Sequence, residues 1–299
     1  MQPAEFEEKE YEQPLYNQLL CGSNNLWAPG QVFESAFGID AAILAENLTL
    51  WTMLGYQYPP VGAVLNDYRW GFVWRKRGNK RPLPTFKVNL LIQAKRPDFL
   101  MGRSSYYSHH GITGSYWRFR IKSHQQRILE KVTHQLRSKA IVSYASPAFH
   151  TNASLFHHTH SGTIVDNSSF VHVARMSGHS EWVYDRPGST GLACSQPSFV
   201  SGPDFWDQIN NSFHKVKDEH DPNDHLEAEK TLTMLSKTVM GICNEEGEAN
   251  NPLAMEFLMR IGQYQERAST LETRNQMVDH LVEFLLFVHL VGVNWFVIS

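Results

Sequence analysis

Cysteine is scarce in this chain. There are three in 299 residues, Cys21, Cys194 and Cys243, odd in number and far apart. That spacing argues against a disulfide framework and a cysteine-ligated zinc site, which need paired or clustered thiols, and fits a reducing compartment. Met1 to Glu10 is acidic and lacks the apolar run of a secretory signal, so the protein is expected to be cytoplasmic. No Gly-x-x-x-x-Gly-Lys loop for nucleotide phosphates and no His-Glu-x-x-His helix for a catalytic zinc occurs. The most apolar stretch, Leu281 to Ile298, is interrupted by Glu283 and His289. Burial in a core or against a partner is expected there, not a membrane span. With 42% hydrophobic and 19% charged residues, the chain has the composition of one large globular domain or two modest ones.

Acidic residues are scarce in the middle third. Arg69 to Lys139 holds 17 Lys and Arg against only Asp98 and Glu130. Residues 1–46 carry eight acids and one base, and residues 204–283 carry 16 acids and seven bases. So many cations are hard to neutralise locally, which points to a polyanionic partner, nucleic acid, with a solvated face paired to the acidic thirds as the alternative. Arg75, Lys76, Arg77, Lys80 and Arg81 read as an exposed basic loop or hairpin tip on that surface, joined by Arg96 further along.

Periodicity gives helices over 14–21 and 30–37, a segment 41–54 open between helix and strand, and a strand over 68–74. Asn89-Leu90-Leu91-Ile92-Gln93-Ala94-Lys95 reads as a buried strand. Its period of two puts Gln93 and Lys95 on one face. Ser123 is placed to cap a helix from His124 to about Ser138, and Ala140 to Tyr144 follows as a short strand. Helices are expected over 225–243 and 252–290, and a strand over Val293–Ile298. The expected boundary falls between a core, 1–203, and a mainly helical region, 204–299, whose last strand can return to the core.

A polar pair delivered by a buried strand is half of a phosphodiesterase site. The other half is a carboxylate for a divalent cation. Phe37-Gly38-Ile39-Asp40 offers one, with Glu34 one or two helical turns before it, and Asp67 is the substitute for Asp40. Mg²⁺ takes oxygen ligands, so carboxylates and an amide oxygen suit it.

The order helix, strands, Gln-x-Lys strand, helix, strand over about residues 30–145 resembles the PD-(D/E)xK nuclease superfamily, in the variant where Gln replaces the second acid. That resemblance implies an α/β fold, a restriction-endonuclease-like mixed sheet flanked by helices. It also implies Mg²⁺ or Mn²⁺ held by Asp40, Gln93, the Ala94 carbonyl oxygen and Glu34, with Lys95 handling the nucleophile and Gln125 or Gln126 supplied from the next helix. The activity implied is metal-dependent endonucleolytic cleavage of DNA, in a bacterial restriction or anti-phage defence setting. A non-catalytic nucleic-acid-binding subunit is the alternative. The acidic C-terminal helices would then cover the site, form a homo-oligomer or bind a partner protein.

A third reading is a zinc hydrolase built from His150, His157, His158, His160, His172 and His179, with two imidazoles of 157–160 on one strand face. His109, His110 and His124 flank basic residues and are candidates for nucleic-acid contact. Tyr106, Tyr107 and Tyr116, in a Gly/Ser-rich stretch over 101–116, are the rings available to stack on bases.

Overall fold

The computed structural model describes residues 1–22, 26–27, 88–217, 224–268 and 276–298. The expectations for 30–37, 41–54 and 68–74 lie outside these, as do Glu34, Asp40, Asp67, Arg75, Lys76, Arg77, Lys80 and Arg81. The chain divides into two compact units. One comprises residues 1–26, 88–220 and 292–298, the other residues 27–87, 221–291 and 299. The division therefore does not fall at a single point near 203: the chain leaves the first unit twice and its last strand returns to it.

The first unit is mixed α/β with two sheets. In chain order it holds β1 (Gln2–Pro3), α1 (Glu8–Gly22), β2 (Leu26–Trp27), β3 (Val88–Ala94), β4 (Asp98–Leu100), α2 (Ser105–Ser108), β5 (Tyr116–Arg120), α3 (Ser123–Leu136), β6 (Ala140–Pro147), α4 (Asn152–Ser161), β7 (Ser168–His172), β8 (Glu181–Tyr184), β9 (Gly191–Cys194), β10 (Ser198–Val200) and α5 (Phe205–Lys217). The last strand, β11, is Asn294–Ile298. One sheet runs β2-β11-β3-β6-β7 and the other β1-β4-β5-β8-β9-β10. Strand β3 lies parallel to β6, with Gln93 opposite Tyr144, and antiparallel to β11, with Ile92 opposite Asn294. A parallel pair needs a crossover, and β4, β5 and α3 supply it.

Every residue of β3 is buried, as a central strand covered on both faces requires. Val88, Leu90, Ile92 and Ala94 pack with Tyr11, Leu15 and Leu19 of α1 and Phe205 and Ile209 of α5. Burying each such Leu or Ile contributes about 1.5–3 kcal/mol. The alternate residues Asn89 and Gln93 are polar yet buried, and each has a partner. Asn89 donates to the Lys139 carbonyl at 3.1 Å and accepts from Trp295 Nε1 at 2.9 Å.

Two local expectations shift. Helix α1 starts at Glu8, not at 14; Pro14 lies inside it, and Glu8 and Glu10 in its first turn complement the helix dipole. Helix α3 starts at Ser123 itself, so the cap position falls on Lys122, whose side chain makes no capping bond. Ile128, Leu129, Val132 and Leu136 form its buried stripe.

The second unit contributes α6 (Asp224–Glu248), α7 (Pro252–Ala268) and α8 (Gln276–Val291) to the described residues. The single helix expected over 252–290 is described as two. Among the described residues, no helix is long and apolar enough to cross a membrane. Polar groups are buried between these helices. Glu283 accepts from Ser236 Oγ and, at 3.4 Å, from Gln265 Nε2, with His280 Nδ1 at 3.3 Å. Tyr264 donates to Asp279 at 2.9 Å.

Candidate functional site

Strand β3 ends where its buried face meets two helices, and there Gln93 and Lys95 come together with residues of α1 and α3. Lys95 continues the ladder, its N–H donating to the Ala145 carbonyl at 2.8 Å. Its own carbonyl accepts from Ser146 Oγ at 2.9 Å, and Tyr184 donates to Ser146 Oγ at 2.8 Å. The backbone that carries Lys95 is thus held by two buried hydroxyls. At the tip, Nζ donates to Gln125 Oε1 at 3.3 Å and lies 5.7 Å from the centre of the Tyr144 ring, within cation–π range.

Two carboxylates face this lysine, Glu8 and Glu12, one turn apart on α1. Burial lowers the Lys95 pKa; Glu8 and, more weakly, Glu12 pull it back up, while the Lys122 charge adds to the lowering. Burial raises the Glu8 pKa, against the attraction of Lys95, and the Glu12 charge raises it further. The Glu8 carboxylate also accepts the backbone N–H of Arg96. Glu12 is only 5% exposed, and Lys9 ion-pairs with it from solvent.

Gln93 and the helix glutamines divide into different tasks. Gln93 Nε2 donates to the Gly292 carbonyl at 3.2 Å. Gly292 stands at φ +69° just before β11, and a Cβ there would lie 3.4 Å from Gln93 Nε2 and 3.7 Å from Gln125 Nε2. The left-handed backbone is what favours glycine here, since those approaches are ordinary van der Waals contacts. Gln126 is a tether: it donates to Glu130 at 2.7 Å and to the Val173 carbonyl at 3.1 Å, and accepts from the Tyr144 hydroxyl. Tyr16 of α1 brings its hydroxyl to the Ile92 carbonyl at 3.5 Å and to the Asn294 side chain.

Arg96 is turned inward. Its guanidinium donates to the Ala4 carbonyl, from Nε at 3.1 Å and also from Nη2, and pairs with Glu7 at 2.8 Å. Its observed job is to clamp the segment leading into α1, in the same stretch where its N–H meets Glu8.

The histidines do not assemble. His157, His158 and His160 lie on helix α4, not on a strand, because Thr151 caps it by accepting the Ser154 N–H at 3.1 Å. His158 Nδ1 bonds Thr163 at 2.9 Å, His150 stacks on Phe99 at 3.9 Å, and His172 accepts the Ala174 N–H at 3.2 Å. No group of three or more His, Cys, Asp or Glu able to hold a metal ion is found among the described residues. Of the three tyrosines, Tyr107 and Tyr116 are core, meeting edge to face at 5.2 Å, and Tyr106 is 53% exposed.

The sequence reading missed Glu8 and Glu12. Their signal was present, two acids four apart ahead of an apolar stripe, but the apolar spacing placed the helix over 14–21, after them. No family model, no curated protein and no solved structure matches this chain.

Proposed function

We propose that the protein is a metal-dependent nuclease of the PD-(D/E)xK kind, with Gln93 in place of the second acid, that hydrolyses phosphodiester bonds of DNA. The observation that carries this reading is Lys95 at the end of a buried central strand, held by Gln125 from the crossover helix and facing Glu8 and Glu12. The path from α1 through β3 and α3 to a parallel β6 supports the same restriction-endonuclease-like fold.

The donors fit a hard cation. Two carboxylates of α1, one half-buried and one buried, act on Lys95 electrostatically, and Mg²⁺ needs one or two carboxylates while keeping waters and substrate oxygens. Glu8, Glu12, Gln93 and the Ala94 carbonyl would hold Mg²⁺ or Mn²⁺; Asp40, Asp67 and Glu34 stay as the carboxylates the sequence offers. The ion would supply charge neutralisation at the phosphate and a more acidic water. Lys95 Nζ would be the group that orients an attacking water. Gln125 and the Tyr144 ring hold Nζ in place, and burial lowers its pKa, which eases release of a proton.

The test is cleavage of plasmid and linear DNA with Mg²⁺, Mn²⁺ or EDTA by wild type, Lys95→Ala, Glu12→Gln and Asp40→Ala, each checked for folding. Metal-dependent cleavage lost in Lys95→Ala is the expected result, and the two carboxylate variants report which acids hold the ion. Equal cleavage by all four proteins sinks the site. Salt-sensitive binding with the substrate left intact favours the non-catalytic subunit.

A further inference from the structure

Gln93 stands where the nuclease family more often carries an acid, and the backbone beside it accounts for an amide there. The side chain is 2% exposed. Its Nε2 donates to the Gly292 carbonyl at 3.2 Å. A carbonyl oxygen only accepts, so the end of the amide that meets it is the NH₂ group, and Oε1 is turned the other way. An ionised carboxylate at 93 would set one acceptor against another at that point.

The acceptor is presented by a turn and not by a side chain. Gly292 has φ +69°, the left-handed conformation. Val293 after it is buried, and Asn294 opens β11 opposite Ile92, so the sheet register leaves Gly292 beside the end of β3. A Cβ on Gly292 would lie 3.4 Å from Gln93 Nε2 and 3.7 Å from Gln125 Nε2. Gln125 is the residue whose Oε1 accepts from Lys95 Nζ at 3.3 Å. Both amides of the site therefore border on one backbone turn.

We infer that Gly292 is a positioning residue: the carbonyl that its left-handed turn presents fixes the Gln93 amide so that Oε1 is the end offered to a divalent cation. The inference rests on the cation site proposed above and adds what orients one of its ligands. The left-handed backbone is the property the position must keep. Asn tolerates it, and a β-branched residue does not.

The experiment titrates Mn²⁺ into full-length wild type, Gly292→Val, Gly292→Asn, Gln93→Ala and the Gln93→Ala/Gly292→Val double variant, reading free Mn²⁺ by electron paramagnetic resonance and folding by circular dichroism. The expected result is an affinity about tenfold weaker for Gly292→Val, near wild type for Gly292→Asn, and no further loss when Gly292→Val is added to Gln93→Ala. If valine prevents folding, Gly292→Ala is read in its place, with the same order expected, Asn above Ala. Wild-type affinity in Gly292→Val, an equal loss in Gly292→Asn, or the same loss with and without Gln93 overturns the positioning role and leaves the cation site standing. No Mn²⁺ binding by wild type removes the cation site and the inference together. Wild-type binding with the expected pattern but without DNA cleavage keeps the positioning role and rejects the nuclease reading.

Discussion

Glu12 and Glu283 are both carboxylates buried beside a basic side chain, and they make opposite use of it. Around Glu283 the neighbours are Ser236, Gln265 and His280, short polar groups from three helices that satisfy the carboxylate and seal it. Around Glu12 and Glu8 the neighbours are charges. Lys95 has its ammonium disfavoured by burial, and Glu8 has its carboxylate disfavoured by burial. A buried acid satisfied by hydrogen-bonding neighbours holds helices together. Half-buried Glu8 and buried Glu12 are set among charges instead, an arrangement that shifts ionisation on both sides.

That contrast fails if the two carboxylates behave alike on removal. The largest effect is expected from Glu12→Gln, which should reduce metal-dependent cleavage by at least about 100-fold, since even outer-shell changes around a metal cost 10–100-fold. Its melting temperature should hold, because the neutral isostere sheds the cost of a buried charge. Glu283→Leu should do the opposite: cleavage per folded molecule is unchanged, while denaturant unfolding reports about 1–3 kcal/mol lost as Gln265 loses its acceptor and Ser236 and His280 keep only their mutual bond. A cleavage defect there, or a stable protein, would erase the distinction.

Arg96→Ala sharpens the comparison on the lysine's own strand. If Arg96 positions α1 and does not touch substrate, cleavage falls and stability drops by about 1–2 kcal/mol while nucleic-acid affinity stays, and Arg96→Lys recovers part of the rate. An affinity loss without a rate loss would return Arg96 to the binding surface.

The smallest effect is in pH. Because burial raises the Glu8 pKa, the native state holds that proton more tightly than the unfolded chain does. Stability therefore falls as pH climbs from the ordinary value of 4.5 through the raised one. Glu8→Gln should lack that decline in a series of melting curves. Since Glu8 is the largest charge holding the Lys95 pKa up, the same variant should lower it further, a change that a lysine Nζ titration by NMR reads directly. An unchanged Lys95 titration would separate the two groups.

Much of the strand half of the site could be read in advance. The alternation over Asn89 to Lys95 put Gln93 and Lys95 on one face, and the helix that follows supplied Gln125. Gln126, offered on equal terms, turned out to hold Tyr144 and Glu130, a choice made by one hundred degrees of helical rotation and the position of β6. Arg96 looked like surface charge because its composition matched its neighbours, yet the Ala4 carbonyl and Glu7 claim it. The histidine run was read on a strand, whereas it lies on a helix capped by Thr151, and no group of three or more possible metal ligands forms among the described residues.

What the sequence determined by itself is local and periodic. A period of two made β3 a strand with a polar face, a helical stripe made α3, and the uneven spread of charge made the middle of the chain basic. What the tertiary structure decided is which distant groups meet. Helix α1 brings Glu8 and Glu12 to a lysine more than eighty residues away, and Gly292, almost two hundred residues beyond Gln93, closes on its amide. Spacing along a chain constrains only neighbours within a turn or a strand. Long-range pairing is set by which faces must be buried together, and no periodicity records that.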